Sequence, residues 1–252
     1  MDVAGQKQYV RDLFDSIAHR YDLLNHLLSG GMDFYWRRRA VKHLSDLHPK
    51  RVLDVATGTG DFAIAALTVS PEQVTGVDIA GHMLEVGRDK LRRKGLDHRI
   101  QLHNGEAEHL EFPDDAFDAA MVAFGARNFE NLEKGLREMQ RVVRPGGRII
   151  VLEFSKPVSF PFRQIYFFYF TRLLPLIGKV ISGNPAAYRY LPDSVLQFPE
   201  GNDFLRILES AGFMRTLQER ISFGIATIYT GTKPTTGATG RPELDRPTGA
   251  PT

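Results

Sequence analysis

Cysteine is missing from all 252 residues. Disulfides, iron–sulfur clusters and thiolate zinc sites are thereby excluded, and the chain suits a reducing cytoplasm. No apolar run is long enough to span a bilayer. The N-terminus, MDVAGQKQYVRDLFDS, lacks the apolar core of a signal peptide and has no mitochondrial-type presequence character. A large charge of one sign is also lacking: the formal net charge is +2, with Lys and Arg interspersed among Asp and Glu. That argues against a nucleic-acid partner held by phosphate neutralisation. No internal repeat is visible, and no residue set points to a resident metal.

What is present centres on Arg51-Val52-Leu53-Asp54-Val55-Ala56 followed by Thr57-Gly58-Thr59-Gly60-Asp61. This reads as a buried strand with an acid near its end, a glycine-rich turn, and a helix beginning at Phe62. Gly58 and Gly60 let the backbone bend sharply and lie close to a ligand. Such units place ligands at the carboxyl edge of an open parallel sheet.

Two helices are predicted ahead of this strand. Residues 7–28 carry Val10, Leu13, Phe14, Ile17, Tyr21, Leu24 and Leu28 at helical spacing, ended by Ser29-Gly30-Gly31. A second helix runs from Phe34 towards Pro49, with Trp36 packed and Arg37-Arg38-Arg39 on a solvated face. Together, residues 1–48 form a helical cap expected to overhang the ligand cleft. After the glycine turn, strands are expected at 73–79, 99–103, 117–124 and 148–154, with helices at 81–94 and 132–143 between them. Arg144-Pro145-Gly146-Gly147 reads as a turn. Alternating strands and helices imply a doubly wound parallel sheet. A helix at 203–211 precedes two runs, 213–221 and 225–232, separated by only Ser222-Phe223-Gly224. That gap is too short for a helical crossover, so the pair should be antiparallel. The fold class is α/β, Rossmann-like, with a mostly parallel seven-stranded sheet. One domain covers residues 1–233, and the Pro-, Thr- and Gly-rich residues 234–252 read as a disordered tail.

Two ligands compete for the turn. Gly58, Gly60 and Ala63 with Asp78 satisfy a loose dinucleotide fingerprint, which keeps an NAD-dependent oxidoreductase as an alternative. S-adenosylmethionine is favoured by several features. Asp54 would attract a cationic methionine ammonium and repel a pyrophosphate. Asp78 could accept both ribose hydroxyls, and Glu106-Ala107 could meet an adenine edge. The antiparallel pair also departs from the six-stranded dinucleotide pattern.

Further stretches carry a resemblance. The glycine loop, Asp78, the Arg144–Gly147 turn and the hairpin ending are similar to class I S-adenosylmethionine-dependent methyltransferases. Tyr21-Asp22-Leu23-Leu24-Asn25, Ser29-Gly30-Gly31 with Trp36-Arg37, Phe124-Gly125-Ala126-Arg127-Asn128 and Glu153-Phe154-Ser155-Lys156-Pro157 narrow the match. With Tyr188-Arg189-Tyr190-Leu191, Ser194 and Phe198-Pro199, they resemble the ubiquinone/menaquinone biosynthesis C-methyltransferases over residues 8–233.

The resemblance implies methylation of demethylmenaquinol to menaquinol, or of a ubiquinol precursor, at a ring carbon. It implies cofactor contacts at Thr59 and Asp78, and at Glu106-Ala107 by the adenine. Two positions depart from the family pattern: Glu106 stands where an Asn is usual, and Ala123 where a Ser often precedes Phe-Gly. A quinol carbon becomes nucleophilic when its neighbouring hydroxyl, which titrates at about pH 10, loses its proton. The candidates for that chemistry are Arg127 stabilising the phenolate, with Asn128 and Tyr21 orienting the ring. Arg127 holds its proton too firmly to be a base, and the competing reading pairs it with Glu153.

The expected substrate is a polyprenyl quinol. Residues 157–199 form an aromatic-rich insert, whose 160–181 core holds Arg163, Arg172, Pro175 and Lys179 and so does not span a membrane. One face is expected to line the tail site or touch the inner membrane surface peripherally. A homo-oligomer stays open. A second alternative, from another class, is a non-catalytic S-adenosylmethionine-binding subunit of a quinone-synthesis complex.

Overall fold

The computed structural model describes residues 3–168 and 185–235. Two helices lead, α1 (Val3–Leu28) and α2 (Met32–Val41). The core then alternates: β1 (Arg51–Val55), α3 (Asp61–Ala66), β2 (Gln73–Asp78), α4 (Gly81–Lys94), β3 (Ile100–Asn104), β4 (Phe117–Ala123), α5 (Leu132–Val142) and β5 (Val143–Phe154). Helices α6 (Phe162–Phe168), α7 (Pro185–Gln197) and α8 (Asn202–Ser210) precede β6 (Met214–Ile221) and β7 (Ala226–Thr232). Residues 169–184 of the aromatic insert and the tail beyond 235 lie outside the described residues.

The sheet is 7-stranded in the order β3-β2-β1-β4-β5-β7-β6. Strands β1 to β5 pair in parallel, and β7 pairs antiparallel with both β5 and β6, as the short 222–224 gap requires. Central strands covered on both faces need continuous apolar sequence, and Val52, Leu53, Ala119 to Val122 and Ile149 to Leu152 are all fully buried. One face packs Trp36, Leu44, Phe62, Leu84 and Leu91 from α2, α3, α4 and neighbouring turns. The other packs Leu136, Met139, Phe204 and Leu208 from α5 and α8. The edge strand β6 is mostly exposed and carries Arg215, Glu219 and Arg220, which discourages pairing with a second sheet.

Three expectations change. Helix α1 begins at Val3 rather than near residue 7. Arg144–Gly147 is a bulge inside β5, not a turn before it: Phe117 pairs with Val143, and the register resumes at Ala119 with Arg148. Gly146 takes φ +78 there, and a Cβ on Gly147 would come 2.5 Å from the Asp118 carbonyl. Arg37 is buried instead of solvated, because Asp33 pairs with its guanidinium and the Phe124 ring lies 5.7 Å away. Trp36 is packed as expected, its indole N–H donating to Ser222 Oγ at 2.7 Å. No helix among the described residues is long and apolar enough to cross a membrane.

Candidate active site

The strand order reverses between β1 and β4, and a crevice opens beyond their carboxyl ends. Two loops meet there so closely that a Cβ on Gly125 would lie 2.5 Å from the Ala56 Cβ. Ala56 and Phe124, each following its strand, take φ +52 and +56. Both chains thus leave the sheet through strained bends, a cost that functional loops commonly bear. The cavity so formed encloses about 690 Å³, its open mouth included. Volumes of this order accommodate a nucleoside-sized ligand.

On the β1 side, Gly58 (φ +56) lines the cavity, and a Cβ there would approach Met83 Cε at 3.3 Å. Gly60 (φ +85) caps α3 behind the lining. Asp54 is fully buried beneath the turn. Its Oδ2 accepts the Thr57 hydroxyl at 2.6 Å, whereas Oδ1 has no hydrogen-bond partner. Burial pushes this carboxyl up to about 7, opposed by Thr57, by Arg37 and by the nearby Ala63 amide, which does not reach hydrogen-bond geometry. Asp78 lies at the end of β2 on the cavity wall. Its two oxygens accept the Gly58 N–H at 2.8 Å and the Ala80 N–H at 2.9 Å. Burial raises this carboxyl too, and the two amides counteract it. Each oxygen keeps a further lone pair for a ligand hydroxyl.

Beyond β3, Ala107 and Glu108 line the cavity, while Glu106 is exposed and does not. Glu106 instead receives Lys7 from α1. Glu108 turns inward to accept the Glu130 N–H at 2.7 Å. Helix α1 covers the opening with Lys7, Val10, Phe14 and Tyr21. It is tied down by Asp22, which accepts the Thr59 hydroxyl at 2.5 Å and Lys90 at 2.7 Å. Lys90 also reaches Asp61 at 2.6 Å. The Thr59 hydroxyl is therefore engaged in anchoring the cap, and the residue lies outside the cavity lining.

After β4 a single turn of 3₁₀ helix, Ala126–Asn128, sends neighbouring side chains in opposite directions. Asn128 lines the cavity. Arg127 turns inward: Nη1 donates to Glu153 Oε2 at 3.0 Å and also to the Phe124 carbonyl. Its guanidinium sits 5.6 Å from the centre of the Phe154 ring, and Nε has no partner. The pair with Glu153 is thus formed. Arg127 still pulls down the titration of Tyr21 and Tyr190, although burial holds both hydroxyls above the usual phenol range.

The structure accordingly gathers Gly58, Asp78, Ala107, Tyr21 and Asn128 around one cavity. Asp54, Thr59, Gly60, Glu106 and Arg127 stand just outside its lining. Sequence reading missed the apolar wall of Phe14, Met83, Phe124 and Phe129, whose spacing looks like ordinary core. It also missed Lys7, which nothing in its neighbourhood of the sequence distinguishes.

Two carboxyl groups at the cavity, Asp54 fully buried and Asp78 half-buried, would when ionised repel a pyrophosphate and attract a cationic ligand. Glycines without Cβ leave room for its backbone contacts. The residues therefore fit a nucleoside that carries a positive charge.

Comparison with known proteins extends this. The model of the ubiE/COQ5 methyltransferase family matches residues 1–233. A demethylmenaquinone methyltransferase of Bacteroides fragilis is 44% identical over 231 residues, 91% of this chain and 94% of that one. One from Thermus thermophilus is 47% identical over 223 residues, 88% of this chain and 100% of that one. A ubiquinone/menaquinone biosynthesis C-methyltransferase UbiE of Geobacter sulfurreducens is 49% identical over 226 residues, 89% of this chain and 88% of that one. Among solved structures, the [4+2]-cyclase SpnF has a TM-score of 0.62 at 20% identity, covering 91% of this chain and 96% of its own. A SAM-dependent methyltransferase from Thermotoga maritima also gives 0.62 at 20% identity, covering 88% and 99%. Likeness at that distance carries the fold alone, which is seen here to serve more than one chemistry.

Proposed function

The chain belongs to the ubiE/COQ5 methyltransferase family, and from that premise we propose that it methylates demethylmenaquinol at a ring carbon, giving menaquinol. S-adenosylmethionine is the donor. The observation that carries the reading is one cavity shared by two kinds of residue. Asp78, Gly58 and Ala107 suit the nucleoside of the donor, and Tyr21 and Asn128 line the same cavity with polar groups suited to an acceptor ring.

In this reading Asp78 holds the ribose hydroxyls and the 105–107 loop flanks the adenine. Asp54 supplies negative charge from beneath the turn. When bound, the sulfonium supplies a methyl group already activated for transfer to a carbon nucleophile. The chain's own task is alignment and control of the acceptor's proton. Alignment alone contributes roughly 7–11 kcal/mol in favourable cases. Burial keeps Tyr21 protonated at neutral pH, so it donates a hydrogen bond to the ring oxygen and is not the base. Arg127 does not itself line the cavity. It acts through its field, and the lowering it exerts on Tyr21 and Tyr190 is what a phenolic acceptor beside them would feel.

The relatives' names leave two head groups in view, naphthoquinol and benzoquinol. The test is a methylation assay under reducing conditions with both, and the naphthoquinol is expected to turn over faster. A preference for the benzoquinol would move the assignment to the ubiquinone precursor. A thermal-shift titration separates the oxidoreductase reading: S-adenosylhomocysteine should stabilise the chain and NAD should not. The non-catalytic reading predicts that stabilisation with no methyl transfer.

The acceptor's polyprenyl tail calls for an apolar approach. Val158, Phe160 and Phe223 are exposed at the carboxyl edge of the sheet, and the Phe162 ring stacks on Phe223 at 3.9 Å. We assign this patch to peripheral contact with the inner membrane surface. Liposome flotation tests it: the chain should float, and Phe160→Ser with Phe223→Ser should reduce flotation. Equal flotation of parent and variant would remove the patch from the account.

A further inference from the structure

The Tyr188–Leu191 stretch carries part of the family resemblance, which assigns it no chemical role. Its Tyr190 lies on α7, and its hydroxyl donates to Asn128 Oδ1 at 3.0 Å. The ring is steadied from the cap by Tyr9, edge-on at 6.2 Å. Asn128 is one of the polar side chains lining the cavity, and the proposed function gives it to the acceptor. An amide has one accepting and one donating end, and a free amide can present either. Here Oδ1 takes the Tyr190 hydroxyl, which assigns the accepting end of the amide to Tyr190. Among the described residues Nδ2 has no partner, so the donating end is left for a ligand.

We propose that Tyr190 is a positioning residue for methyl transfer: it fixes the Asn128 amide so that Nδ2 donates to the phenolate oxygen of the acceptor. The inference rests on the acceptor reading given above and deepens it. A donor aimed at the oxygen where negative charge gathers stabilises the reactive form, and does so best when oriented beforehand. The reversed amide would present a carbonyl oxygen to that charge and repel it. Arg127, Glu153 and Tyr9 are the other titratable groups facing Tyr190. Burial keeps the Tyr190 hydroxyl protonated, as the role of donor requires.

The test is Tyr190→Phe, which deletes one oxygen and retains the ring. Turnover of the naphthoquinol should fall about tenfold, with S-adenosylhomocysteine affinity unchanged. The alkaline shift of the rate profile should follow, because the acceptor's phenolate loses a donor. In an Asn128→Ala background the same change should have no further effect, since the two residues act as a unit. A second readout needs no turnover. The ionisation of a bound hydroxynaphthoquinone, followed by its visible absorbance, should move to higher pH in Tyr190→Phe.

A rate and pH profile within twofold of the parent would overturn the proposal. So would an equal loss in the Asn128→Ala background, which would mark Tyr190 as merely structural. If the parent itself fails to methylate either quinol, the acceptor reading falls and takes this inference with it. That outcome is distinct from failure of the variant alone.

Discussion

Asp54 is costly to the empty protein. Its carboxyl titrates at about 7 when folded because burial penalises the charge, against about 3.9 in an unfolded chain. Between these values the folded state holds a proton that the unfolded state has released. Stability therefore falls as pH rises from about 4 to about 7, by an amount of order 4 kcal/mol at most. Asp54→Asn should flatten that dependence and raise the urea midpoint above the parent's at pH 8. It should also weaken S-adenosylhomocysteine binding, measured by calorimetry. Arg127 and Glu153 pose a related problem. Removing one partner leaves the other as an uncompensated buried charge, which costs about 3–5 kcal/mol. Arg127→Met should lose both stability and turnover. Adding Glu153→Gln should restore the unfolding midpoint without restoring turnover. Recovery of both would make the pair structural only.

At the scale of elements, the site depends on how closely the β1 and β4 loops approach. Gly125 has room for no side chain against Ala56, and a well-packed contact yields only by moving backbone. Gly125→Ala should therefore reduce S-adenosylhomocysteine affinity by about tenfold or more, while far-ultraviolet circular dichroism stays unchanged. Unaltered affinity would show that the loops part without harm. This contact was not legible in the sequence, because nothing local to Phe124-Gly125 reveals that Ala56 lies across from it. The strand ends were legible, since buried apolar runs ending in Asp54 and Asp78 have few other readings. So was α1, through its helical spacing. Its anchoring was not: the pairing of Asp22 with Thr59 and Lys90 joins segments 37 and 68 residues apart. Arg37 misled in part for the same reason: its i−4 partner Asp33 is visible in the sequence, but only the fold supplies the Phe124 ring that buries it.

For the whole molecule, the sheet order does the positioning. The reversal between β1 and β4 opens the crevice, the helical cap covers it, and the antiparallel β6–β7 pair closes the far edge. The spacing of seven strands and the short 222–224 link made this topology readable. That Arg127 turns to Glu153 and not into the cavity was not readable, because the two environments look alike along a chain. The central claim is that this arrangement delivers a methyl group to a reduced lipid ring. The most direct measurement incubates the purified chain with S-adenosylmethionine and dithionite-reduced demethylmenaquinol, then analyses both products by mass spectrometry. The account predicts a quinone heavier by one methylene group, with S-adenosylhomocysteine formed in equal amount. An unmethylated quinone recovered beside intact S-adenosylmethionine, from protein that binds S-adenosylhomocysteine normally, would contradict it.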